Sequence, residues 1–296
     1  MANARALVGR RTAVGNIRKI TRTMELIATA RFRQALTRAT GAAPYTRAIT
    51  ELAANVSAAV KDVTHPLLQQ RPGAKNRLLL VITSNRGLCG GYNTDVLHEA
   101  TARTHETEAE GAVLHLDVSG KRGIRYFRYH GVGMEQSFTQ FEDKPRYEEV
   151  DALANRYLRS FLGGKIDRLD VAYTKYVNAA RQAPVVETLL PLQKDEGGRM
   201  KDEQRQKQPS PAKVEFRPSA GAILSALLPE TFKVRLFQCF LDAAVSEQIA
   251  RRVAMKAATE NIDDMITNLT REFNHARQDQ ITKEIAEVIG GAAALE

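Results

Sequence analysis

The chain of 296 residues contains no tryptophan, and aromatic residues make up only 6% of it. Its two cysteines, Cys89 and Cys239, form no CxxC pair, no disulfide framework and no zinc set, which suits a reducing compartment. The six histidines (65, 98, 105, 115, 130, 275) form no metal-spaced pair, and no acid pair stands out, so neither a metal nor a catalytic centre is expected. The longest uninterrupted aliphatic run is Leu78–Ile82, far short of a membrane span. No signal-peptide pattern is visible, so any membrane association is expected to pass through other subunits or surface charge. Residues 1–50 are almost without acid: Glu25 stands against ten Lys/Arg, a net +9. The remaining 246 residues balance at 33 basic and 33 acidic groups. Such an arm suggests an acidic partner, whether nucleic acid, an anionic membrane or an acidic protein surface; a merely solvated helix face is the bland alternative.

A longer absence lies near the C-terminus. From Glu230 to Ile289 there are sixty residues without glycine or proline. Apolar residues recur there every three or four positions: Phe237, Leu241, Val245, Ile249 and Val253, then Ala258, Ile262, Met265, Leu269, Phe273 and Ala276, extended by Ile285 and Val288. An ordinary globular helix has 8–20 residues, so this one reads as a coiled coil or similar device. It would be roughly 90 Å long, with Gly290–Gly291 expected to stop it. The basic N-terminal arm also reads as a helix, its stripe being Val14, Ile17, Ile20, Met24, Ile27, Phe32 and Leu36, with Ala28 and Ala35 between them. Gly9 and Gly15 weaken its start, and Gly41 with Pro44 should kink or break it before the spacing resumes at Ala48.

Between these helices the period changes. Arg77–Thr83 is a short aliphatic run typical of a buried parallel strand, followed by the glycine-rich turn Ser84–Asn93 (SNRGLCGGYN) and a polar helical segment. Ala112–Val118 is a second strand, closed by Ser119–Gly123, and Ile124–Tyr129 can open a further helix. Tyr147–Leu162 is amphipathic, Ile166–Val177 alternates, and Pro184–Leu190 can pair beside it. Strands alternating with helices predict an α/β fold with a mostly parallel sheet. The expected division is an N-terminal helix over 1–65, an α/β domain over 76–192, a charged linker over 193–218 and a C-terminal helix over 219–296, the run Gln193–Ala212 being too polar to pack.

The glycine-rich turn lies where phosphate sites often occur, but no Lys-Ser/Thr follows Gly91 and the spacing is not GxGxxG. Gly87, Gly90 and Gly91 fit a tight turn better. Cys89, near a predicted helix N-terminus, has no histidine close in sequence and suits a buried structural thiol better than a nucleophile.

Several segments, in order, resemble the gamma subunits of F-type ATP synthases: Ile17–Phe32 (IRKITRTMELIATARF), the turn TSNRGLCGGYN, YTKYVN with ETLLPL, and the C-terminal SEQIARRVAMKAATEN and NHARQDQITKEIAEVIGGA. The resemblance implies an antiparallel coiled coil of the terminal helices with an inserted Rossmann-like α/β domain. It implies a non-catalytic central rotor, coupling proton flow through the membrane sector to ATP synthesis or hydrolysis on the catalytic subunits. The implied partners are the alpha and beta subunits, epsilon and the membrane c-subunit ring, on the cytoplasmic side of the cell inner membrane, with no cofactor. Met24, Arg252, Gln278 and Thr282 match positions that touch catalytic-subunit loops, although Met24 also fits the core stripe. The paired-cysteine regulatory loop of chloroplast members is absent, so thiol switching is not expected. Two other classes compete: a nucleic-acid-binding coiled protein using the basic arm, where Phe32 and Tyr45 are thin support for stacking, and a nucleotide-dependent enzyme built on the α/β insert.

Overall fold

A computed structural model describes residues 2–59, 65–71, 73, 75–192 and 220–293; the charged linker expected over 193–218 lies outside them. Helix α1 spans Ala2–Ala59 and helix α5 spans Ala220–Ala293. Between them run β1 (Asn76–Ile82), α2 (Tyr92–Ala109), β2 (Val113–Ser119), α3 (Lys121–Tyr129), β3 (Gln136–Phe138), α4 (Tyr147–Leu162), β4 (Arg168–Tyr176) and β5 (Gln182–Leu190). The chain forms two compact units, one of residues 1–30 with 251–296, the other of residues 31–250.

The larger unit is built on a five-stranded sheet in the order β3-β2-β1-β4-β5, with the first four strands parallel and β5 antiparallel to β4. The aliphatic run of β1 is continuous because both of its faces are covered. Leu78, Leu80 and Ile82 enter one cluster with Val150, Tyr157 and Phe161 of α4, while Leu79 and Val81 enter another with Val96 and Ala100 of α2 and Phe127 of α3. Each such side chain taken out of water stabilises the fold by about 1.5–3 kcal/mol. Leu224, Leu228, Phe232 and Leu236 of α5 join the α4 cluster, and Phe32, Ala35 and Ala39 of α1 pack with Leu241, Val245 and Ile249 of α5. In the loop before α4, Asp143 forms an ion pair with Arg31 and accepts from Gln248 Nε2 at 2.7 Å, so one carboxylate fastens α1 and α5 together.

The smaller unit is an antiparallel pair formed by the start of α1 and the end of α5. Thr21 meets Thr259 (Oγ1–Oγ1 2.9 Å), Arg18 meets Asp263 (2.5 Å), and the Arg11 guanidinium lies 5.6 Å from the centre of the Phe273 ring. The seam on α5 is a strict alternation of four- and three-residue steps: Met255, Thr259, Ile262, Ile266, Leu269, Phe273, Ala276 and Gln280, all buried or half-buried. On α1 the matching positions are Leu7, Arg11, Val14, Arg18, Thr21, Glu25 and Ala28. Seven threonine hydroxyls among the described residues here bond back to the carbonyl four residues earlier in their own helix: Thr12, Thr23, Thr29, Thr259, Thr267, Thr270 and Thr282.

Several expectations need correction. Met265 is exposed and Ile266 takes its place in the seam, while Val253, Ile285 and Val288 are also exposed. On α1, Ile17, Ile20 and Ile27 face outward, one position away from the true seam. The break at Gly41 and Pro44 does not occur: Pro44 deprives the Thr40 carbonyl of a partner, but both residues are exposed and water can replace the lost bond. The helix likewise begins at Ala2 despite Gly9 and Gly15. Helix α5 starts ten residues before Glu230 and runs through Pro229, whose missing donor falls opposite the exposed Ser225. Gly290–Gly291 does not stop it, since two glycines cost only about 1 kcal/mol each relative to alanine.

Candidate functional site

The glycine-rich turn leaves the C-terminal end of β1, beside both β2 and β4, where open α/β sheets bind ligands. Its donors are already used. At the start of α3, the backbone N–H of Lys121 donates to Asn85 Oδ1 (3.0 Å), that of Arg122 to the Ser84 carbonyl (3.1 Å) and that of Gly123 to Thr83 Oγ1 (2.9 Å). These three would otherwise cradle an anion. Asn93 closes the turn: its Oδ1 accepts from the Ser84 backbone N–H at 2.9 Å, and its Nδ2 donates to the buried Cys89 sulfur at 3.2 Å. Leu88 and Gly90 carry positive φ, so this is a tight, strained turn. Tyr92, first residue of α2, donates its hydroxyl to the Ala243 carbonyl of α5 at 3.2 Å. The turn therefore anchors α5 to the sheet, and Cys89 is part of that packing.

The surface of the smaller unit has a different character. Its seam mixes apolar residues such as Val14, Ile262, Ile266 and Leu269 with Arg11, Arg18, Thr21, Glu25 and Thr259, and further apolar side chains point to solvent: Ile17, Ile20 and Ile27 on α1, and Val253, Met265, Ile281, Ile285, Val288 and Ile289 on α5. The antiparallel register explains the last three. With Arg11 opposite Phe273, α1 runs out near residue 283 of α5, and every residue from 281 to 290 is exposed. Exposed apolar surface of this extent marks a place where another molecule packs.

Of the residues matched through the resemblance, Gln278 and Thr282 are both exposed and lie one turn apart, the Thr282 hydroxyl donating to the Gln278 carbonyl at 3.0 Å. They share a face with Ile281 and Ile285. Met24 and Arg252 are half-buried, and Arg252 already has a polar neighbour. Because Thr21 faces Thr259, Met24 lies within about one turn of the level of Arg252, far along the pair from Gln278. The structure thus forms two groups, not one. The sequence reading missed Ile17, Ile20, Ile27 and Ile281 as surface residues; the available signal was their offset of one position from a heptad filled by polar residues. Four of the ten basic residues of the arm, Arg11, Arg18, Arg22 and Arg31, have partners within the protein, and nothing in the fold favours the nucleic-acid reading.

Comparison with known proteins gives a consistent result. A family model described as ATP synthase matches residues 3–295. The ATP synthase gamma chain of Rhodopirellula baltica is 51% identical, with all of both chains aligned. That of Frankia casuarinae is 40% identical over 96% of this chain and 94% of its own. The fold resembles a chain in the rotor of the Euglena gracilis mitochondrial ATP synthase (TM-score 0.62, 17% identity, 95% of this chain and 99% of that one). A second structure of the same synthase gives a TM-score of 0.65 at 17% identity, covering 99% and 95%.

Proposed function

Because the chain belongs to the family of ATP synthase gamma chains, we propose that it is the central rotor stalk of an F-type ATP synthase, coupling proton flow to ATP synthesis and hydrolysis. The observation that carries this reading is the outer surface of the smaller unit, where isoleucines stay exposed although the seam between the helices is already filled, with a helical tip that outruns its partner. A helix pair built for itself alone would bury those isoleucines. One built to turn inside a ring of other subunits presents them.

In this reading the terminal helices, 1–65 and 219–296, form the shaft, and the α/β domain of residues 76–192 engages epsilon and the membrane c-subunit ring. The alpha and beta subunits surround the shaft, and the chain itself makes no bond in the substrate. Its asymmetric surface meets each catalytic subunit differently as it turns, so nucleotide affinity follows rotor angle. Gln278 and Thr282 contact the ring near the tip, and Met24 and Arg252 at a lower level, where the guanidinium suits an acidic loop. No helix among the described residues is long and apolar enough to cross a membrane; attachment to the cytoplasmic side of the cell inner membrane passes through the ring.

The test is direct. Both native cysteines are buried, so Tyr129→Cys, at a position 86% exposed, gives a single handle for a bead. Reconstituted with the other subunits, the bead should rotate in one direction while ATP is hydrolysed. A stationary bead on a complex that hydrolyses ATP would refute the rotor. Arg252→Ala and Gln278→Ala/Thr282→Ala in the same complex should lower proton pumping per ATP; wild-type pumping in both removes these contacts but leaves the rotor standing.

A further inference from the structure

On the α4 face of the sheet lies a cavity of about 320 Å³ that rotation does not require. It is bounded by Leu78 of β1, Asp117 of β2 and Tyr157 and Arg156 of α4, with Glu135 and Lys165 also lining it. Lys165 directly precedes β4 and Leu78 lies early in β1, so the cavity sits away from the glycine-rich turn, which leaves the far end of β1.

Asp117 is fully buried. Its Oδ2 accepts from Arg156 at 2.5 Å and from the Tyr157 hydroxyl at 2.9 Å, but its Oδ1 has no hydrogen-bond partner among the described residues. A buried polar atom left without a partner is costly, and native proteins rarely leave one unless something else supplies the donor. Arg156 cannot easily turn to serve both oxygens, since its guanidinium stacks over Phe138 and Tyr157. Burial raises the Asp117 carboxyl above its ordinary value against the opposing pull of Tyr157, Arg156 and the Gln136 backbone N–H, and a cationic donor at Oδ1 would favour its charged form further.

Lys165 is exposed and forms no ion pair with a described residue. Across the lining, Asp117 and Glu135 balance Arg156 and Lys165, and His115 is bonded to Glu135. The cavity therefore favours neither a net cation nor a net anion. The histidine and carboxylates do not converge as a metal site. We propose that the cavity binds a small zwitterion of the amino-carboxylate class, its ammonium donating to Asp117 Oδ1 and its carboxylate facing Lys165.

Calorimetric titration of the purified full chain tests this with L-alanine and 4-aminobutyrate as zwitterions, and with butyrate and butylamine as halves of the second. At least one zwitterion should bind about tenfold more tightly than either half, and Lys165→Ala or Asp117→Asn should each weaken it by about tenfold. Lys165 is at the surface, so its variant keeps the fold and decides the matter if Asp117→Asn does not fold. Binding of neither zwitterion, equal binding of a half-molecule, or unchanged affinity in the folded Lys165→Ala chain overturns the proposal and leaves the cavity to water.

Discussion

Two buried residues show how finely single groups are balanced. Asp242 of α5 is 7% exposed and accepts from Gln238 Nε2 at 2.8 Å, with Lys175 and Glu187 nearby. Burial outweighs the help of Gln238 and Lys175 and pushes its pKa up to about 6, from 3.8. The folded chain thus binds this proton more tightly than the unfolded chain. The contribution of this one group to stability is greatest below pH 4, falls as pH rises to about 6, and is flat beyond, by about 3 kcal/mol in all. Asp242→Asn should therefore leave stability near pH 4 unchanged and raise it at pH 8 by about 2 kcal/mol; urea melts at the two pH values measure the difference, and equal melts at both would show that the carboxylate is well solvated. Gly120 presents the opposite case, a backbone that admits no side chain. Its φ is +100°, and a Cβ there would lie 2.1 Å from the Thr83 carbonyl oxygen, between the loops that follow β1 and β2. Gly120→Ala should cost about 3 kcal/mol or more, measured as a fall in the urea midpoint.

At the scale of elements, the seam makes the sharpest prediction. Ile266 and Met265 differ by one position and by 100° around the helix, and only Ile266 faces α1. Ile266→Asp should destabilise the helix pair by about 1–3 kcal/mol, whereas Met265→Asp should change it by less than about 0.5 kcal/mol. Thermal melts followed by circular dichroism separate the two, and equal losses would mean the register is wrong. Phe273→Asp should be milder than Ile266→Asp, because Arg11 already lies over that ring and can pair with the new carboxylate. The same residues show what was legible in the sequence. The aliphatic run Leu78–Ile82 marks β1 without ambiguity because both of its faces are buried, and α4 and the β4–β5 hairpin follow from plain periodicity. The seam was hidden because Thr21, Glu25, Arg18 and Thr259 occupy positions where hydrophobic residues are sought, while isoleucines stand one step aside. Strand β3, with three residues, is too short to carry a pattern. That Arg252 and Gln278 lie at two levels of one helix follows from their spacing, whereas placing Met24 beside Arg252 needed the register between Thr21 and Thr259.

For the whole molecule, fold and action should come apart at the tip of α5. Residues 284–290 lie past the start of α1 and, with Ile281, contribute exposed apolar side chains but no buried core. A chain ending at Gln280 should melt within a few degrees of the full-length chain, since exposed residues away from packing seldom change stability by more than about 0.5 kcal/mol. Reconstituted with the other subunits, it should hydrolyse ATP but couple less of it to proton transfer. A large fall in melting temperature would show that the tip stabilises the chain itself. What the tip and its neighbours touch also matters for how they touch it. Outside the seam, six threonines of the helix pair keep their hydroxyl protons on their own carbonyls, so they offer a neighbouring subunit acceptors but no donor. A passing loop meets methyl groups and isoleucines whose dispersion contacts vary smoothly with angle, in place of directional bonds that must be broken one at a time. On the rotor reading, such a skin predicts low friction wherever a threonine bonds to its own helix, and leaves torque to outward polar side chains, of which Gln278 is the proposed example at the tip.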